Sequence, residues 1–151
     1  MGRDARGALR RWADALGLPP AARDRMCAAW RAKRYRRGEV LFYEGDTPAD
    51  VYFLCRGRVK LVRRALGERQ HILRVVSGPD MLGERALIAG QPYAAAAQMM
   101  EDSLIGILQA KRFFELWRDE PEFSRMFARH LARKLARADD AAFDLAQRTI
   151  R

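Results

Sequence analysis

The sequence predicts a mainly β member of the α+β class: a small antiparallel barrel or jelly roll between N-terminal helices and one long C-terminal helix. Two observations carry that expectation. Between residues 38 and 108, short apolar runs alternate with turn residues at intervals of roughly ten positions. After Pro121, apolar side chains instead recur every three or four positions without a break. With 151 residues, 49% of them hydrophobic, the chain can bury a core of its own in one compact domain.

Taken in order, residues 4–33 read as helical. Leu9, Trp12 and Leu16 share a face until Gly17-Leu18-Pro19-Pro20 interrupts it, and a second short helix places Met26, Ala29, Trp30 and Lys33 at helical spacing. Strands are expected at VLFY (40–43), VYFL (51–54), VKLV (59–62), HILRVV (71–76) and LIGIL (104–108). Gly45-Asp46, Arg56-Gly57, Gly67-Glu68, Ser77-Gly78-Pro79-Asp80 and Gly90-Gln91-Pro92 mark the turns between them. Tyr43, Tyr52 and Phe53 read as core or strand-pairing residues.

Helix resumes over 111–118 with Phe113, Phe114, Leu116 and Trp117. Pro121 suits a first helical turn, with Asp119 as its expected cap. Over 122–147, Phe123, Phe127, Leu131, Leu135, Ala138, Ala142 and Leu145 form one stripe. Arg125, Arg129, Arg133, Arg137, Asp140, Asp144 and Arg148 form the opposite one. A helix of about 26 residues extends ~39 Å, longer than a domain of this size covers. It could pack along the barrel. The sharper expectation is a homodimer in which Phe123, Phe127, Leu131, Leu135, Ala138 and Ala142 meet their copies. The chain thus divides into a basic helical segment (1–37), a β-roll (38–109) and a helical end (110–151).

The formal net charge is +10, yet residues 1–37 alone carry 11 basic and 3 acidic groups, ending in RAKRYRR (31–37). A solvated basic face explains that run; direct nucleic-acid binding by it is the alternative. No apolar stretch approaches the ~20 residues that span a bilayer, and no secretory signal opens the chain, so no membrane partner and a reducing cytoplasm are expected. Cys27 and Cys55 are too few for a disulfide framework or an iron–sulfur cluster. His71 and His130, the only imidazoles, read as structural or surface residues rather than haem ligands. A redox switch would need an exposed thiol of low pKa. No Ser/His/Asp set, H-E-x-x-H motif or phosphate loop suggests an enzyme.

Residues 38–61 read GEVLFYEGDTPADVYFLCRGRVKL and residues 82–98 read LGERALIAGQPYAAAAQ. Gly38, Gly45, Asp46 and Gly57, with VYFL before the last, resemble the cyclic-nucleotide-binding domain, and more closely the sensor domain of Crp/Fnr transcription regulators. The second block resembles that family's phosphate-binding cassette. The resemblance implies a β-roll effector site around Gly83, Glu84, Arg85, Tyr93, Ala94 and Ala95. Glu84 aligns with the family glutamate that accepts the ribose 2′-hydroxyl. Gly83 permits close backbone approach, and a helical turn from Glu84 would aim N–H groups at a phosphate.

The sequence departs from the family where the resemblance implies an arginine that pairs with the cyclic phosphate: Tyr93 stands there, or Ala94 in an alignment shifted by one, and Ala94 and Ala95 follow where the family has a small polar residue and then alanine. Leaving a buried charge unpaired costs ~3–5 kcal/mol. At ~1.4 kcal/mol per factor of ten, binding weakens at least a hundredfold. The expectation is therefore a small-molecule effector of unknown identity, or the remnant of an effector site, with cyclic AMP and cyclic GMP disfavoured unless Arg85 supplies the missing cation. In the resembling regulators the long helices re-aim a helix-turn-helix domain, which the six residues after Leu145 cannot make. DNA contact is thus expected only through a domain beyond this chain, of which this is a truncated part or a stand-alone sensor. The regulatory module of a different signalling protein is the competing expectation.

Overall fold

In the computed structural model, residues 1–64 and 69–149 are described. Two helices open the chain, α1 (Arg3–Ala15) and α2 (Pro20–Ala28). Pro19 and Pro20 occupy the cap and first position of α2, where a missing N–H costs nothing. The carbonyls left open at the end of α1 are met from far along the chain: Arg133 donates to Ala15 O and Arg129 to Leu16 O.

The basic run differs from expectation. The second helix stops at Ala28, and Arg31–Tyr35 forms β1 rather than a helical end. This strand pairs antiparallel with β8 (Ser103–Gln109), from Arg31 opposite Ile107 to Tyr35 opposite Ser103. Helical spacing of Trp30 and Lys33 is a local signal; a partner strand about seventy residues away outweighs it by satisfying the backbone.

The expected strands follow as β2 (Val40–Phe42), β3 (Asp50–Arg56), β4 (Arg58–Arg64) and β5 (Gln70–Ser77). Two shorter ones were not legible, β6 (Asp80–Leu82) and β7 (Ala96–Met99). The Gly67-Glu68 turn signal lies outside the described residues. Two four-stranded antiparallel sheets result, ordered β1-β8-β3-β6 and β2-β7-β4-β5. Between β3 and β4, Gly57 has φ +121°, and a Cβ there would fall 2.1 Å from Ser103 Oγ, so only glycine fits the corner.

Strand β3 explains why its sequence reads as one unbroken apolar run. Val51, Phe53 and Cys55 face the helical layer, while Leu54 and Tyr52 face the opposite sheet. Both sides are covered. One core therefore lies between the sheets, around Phe42, Leu54, Val59, Met99 and Ile105. The other packs the helices on the β1-β8-β3-β6 sheet, around Leu9, Met26, Phe53 and Phe113. Tyr43, expected in the core, is exposed in the turn after β2.

The C-terminal helices are α4 (Ala110–Asp119) and α5 (Pro121–Thr149). Asp119 ends α4 and pairs with Arg118 instead of capping α5; Glu120 takes the capping place, its carbonyl accepting from Phe123 and Ser124. The expected interface stripe is divided by the fold. Phe123 and Phe127 are buried in the chain's own core against Phe113, so neither is available to a second copy. Leu131 is half-buried, and every described residue from Leu135 onward is exposed. Leu135, at 63% exposure, Phe143 and Leu145 are the large apolar side chains of that free half. Among the described residues no helix is long and apolar enough to cross a membrane.

Candidate functional site

The two sequence blocks meet at Tyr93. Gly83 precedes a short helix, α3 (Glu84–Ala89), and the chain returns through Gly90 to Tyr93 before entering β7. Tyr93 N–H donates to Asp46 O at 3.0 Å, and Gly45 N–H donates to Tyr93 O at 2.9 Å. The turn after β2 thus grips the end of the cassette by its backbone.

The side chain of Tyr93 occupies the middle of this site. Its ring stacks on Phe42 at 3.9 Å between centroids and 14° between planes, and Phe42 in turn stacks on Tyr52. The hydroxyl donates to Asp50 O at 3.3 Å. A Cβ at Gly83 would lie 3.1 Å from Tyr93 Cε1, so the close approach that Gly83 permits is to this ring. Only 5% of Tyr93 is exposed, and burial pushes its phenol well above the ordinary tyrosine range. The same cause raises Tyr52 to about 12. These phenols are neutral, packed groups.

Glu84 has a different environment from Tyr93. It is 2% exposed and faces α5, where Lys134 Nζ donates to its Oε1 at 2.6 Å and His130 Nε2 lies 3.4 Å from the same oxygen. Lys134 also donates to Met81 O at 3.1 Å and lies 4.0 Å from Asp80. Burial alone would raise the Glu84 carboxyl; His130 and Lys134 override it and hold it down at about 2. Its other oxygen, Oε2, is buried without a partner. The cassette helix is therefore tied by a buried charge pair to the long helix.

The remaining expected site residues separate. Ala95 is buried and Ala94 exposed, and neither carries a polar side chain. Arg85 is exposed on α3 and forms no ion pair among the described residues. It belongs to the outer face, whereas Tyr93 fills the inner one. His130 is a buried structural residue, edge-on to Trp12 at 5.2 Å, and His71 is exposed on β5. Both cysteines are buried, and burial raises each thiol, Cys55 to about 11. Neither offers the exposed thiolate of a redox switch.

Sequence reasoning missed Phe42, His130 and Lys134 as partners of the site. Phe42 reads as an ordinary strand residue. His130 and Lys134 are one turn apart on α5, a spacing that places them together but says nothing of a carboxylate some fifty residues earlier. Among the described residues no group of three His, Cys, Asp or Glu could hold a metal.

The family described as the cyclic nucleotide-binding domain matches residues 32–120. The cyclic AMP receptor protein of Thermus thermophilus is 29% identical over 123 residues, covering 82% of this chain and 57% of its own length. The CRP-like cAMP-activated global transcriptional regulator of Mycobacterium tuberculosis is 27% identical over 129 residues, covering 85% and 58%. This chain therefore spans a little over half the length of these curated relatives. The crystal structure of the Thermus thermophilus catabolite activator protein superposes with a TM-score of 0.74 at 28% identity, over 86% of this chain and 61% of that one.

Proposed function

The chain belongs to the cyclic nucleotide-binding domain family, and from that premise we propose that it is the homodimerising sensor domain of a Crp-like transcription regulator whose phosphate seat is closed by its own Tyr93. The observation that carries this reading is the buried Phe42–Tyr93 stack against Gly83. A cyclic phosphate needs a cation at that place, and a neutral phenol donating to Asp50 O gives it none. Cyclic AMP and cyclic GMP are then not the effectors. The seat is a structural plug, or it opens only for a ligand that displaces an aromatic ring.

The route from the cassette to the rest of a regulator runs through Glu84 and Lys134. An event that shifts α3 changes the burial of this ion pair and so bears on α5. The second copy is assigned to the distal half of α5, from Leu131 through Leu135, Ala138 and Ala142, where the chain itself leaves apolar groups uncovered. DNA recognition is assigned to a separate domain of the full regulator.

Calorimetry tests the seat. The chain is expected to show no binding heat with millimolar cyclic AMP, and Tyr93→Arg combined with Ala94→Ser is expected to create binding at least a hundredfold tighter. Micromolar binding by the unaltered chain would overturn the reading.

A further inference from the structure

A second concavity, of about 270 Å³, lies outside the β-roll, between the last turn of α1, the turn before β6, and α5. Its walls are of two kinds. Trp12, Leu16 and Pro79 form an apolar side, while Arg133 and Arg137, one helical turn apart on α5, face the same space.

The guanidinium groups are not consumed by the fold. Arg133 gives one N–H to Ala15 O at 3.3 Å and keeps others for a further acceptor. Arg137 is exposed and forms no ion pair among the described residues. One acid, Asp80, also lines the space, and both it and the neighbouring Glu84 are largely engaged. Glu84 is held by Lys134, and Asp80 Oδ1 accepts the Met81 N–H at 2.8 Å while facing Lys134 at 4.0 Å. Positive charge is thus in excess at the mouth, beside an aromatic and aliphatic wall.

We propose that this concavity binds a small carboxylic acid with a flat apolar body. The planar, forked donors of Arg137 and Arg133 match a carboxylate, and the body lies against Trp12, Leu16 and Pro79. Its volume falls at the small end of ligand pockets, near ~300 Å³, which suits an acid built on a single ring. Because the walls come from both α1 and α5, an occupant ties the two helices together. The site is independent of the closed seat at Tyr93 and stands or falls separately from it.

The test is a titration of benzoate into the full chain, followed on the Trp12 indole N–H resonance and assigned with Trp12→Phe. A saturable shift is expected. Arg137→Gln should weaken it at least fivefold. Asp80→Asn, which keeps an oxygen for the Met81 N–H while removing a repelling charge, should tighten it. Arg34→Gln, a change of equal charge on distant β1, should leave it unaltered. A shift that grows linearly without saturating would overturn the proposal. So would equal weakening by Arg137→Gln and Arg34→Gln, since that pattern reports only general charge screening.

Discussion

Lys134 is the residue whose removal has the clearest physical consequence. It is the nearest cation to Glu84, a carboxylate that is almost wholly buried. Lys134→Met leaves that charge without its main partner, and breaking a buried pair in this way costs about 3–5 kcal/mol. The penalty should be largest near pH 7. It should narrow as pH falls, because the unpaired carboxyl then rises in pKa and takes up a proton. In the unaltered chain the sign is opposite. The Glu84 pKa is depressed on folding, so the stabilisation it contributes is present above the ordinary glutamate range and is lost as pH falls toward about 2. Urea titrations measure the two trends, between about pH 7 and 4 for the variant and from about pH 5 down to about 2 for the unaltered chain. At the same scale, the buried thiols of Cys27 and Cys55 should resist an aqueous disulfide reagent at pH 8 and react fully once urea unfolds the chain.

At the scale of elements, α5 is two helices in one. Its first half is a core element, with Phe123, Met126, Phe127 and His130 buried against α4 and Trp12. Its second half projects beyond the body that produced it. Substitutions in the two halves should therefore separate stability from association. Phe127→Ala empties a fully buried ring site and should cost about 3–5 kcal/mol. Leu135→Glu touches a mostly exposed position and should change monomer stability by no more than ~0.5 kcal/mol. If distal α5 is the dimer interface, sedimentation should find the unaltered chain above its 17.3 kDa monomer mass and the Leu135→Glu variant at it. A monomeric unaltered chain at high micromolar concentration would remove that assignment. Strand β1 offers the complementary lesson: its cations are displayed on a sheet edge, so the basic run is a property of the surface and not of a helix end.

Across the whole molecule, the β-roll between helices was legible because apolar runs bounded by turn residues, and then a period-3.6 pattern, persist over many residues. Glycine marked the corners where side chains cannot go, as at Gly57. The elements that escaped were those made by distant partners. Strand β1 borrows its hydrogen bonds from β8, and the alanine-rich β7, poor in strand propensity, is held between β2 and β4. Sequence by itself determined the fold class, the long C-terminal helix and the concentration of charge in residues 1–37, all of which follow from residue type and local spacing; the resemblance added the expectation that Tyr93 stands where the family has an arginine. Only the tertiary structure decided that Tyr93 stacks on Phe42 against Gly83, that Glu84 faces Lys134, and that Phe123 and Phe127 lie inside while Leu135 lies outside. Each of those depends on which surfaces come together in space, and periodicity records that a face is apolar without recording what covers it.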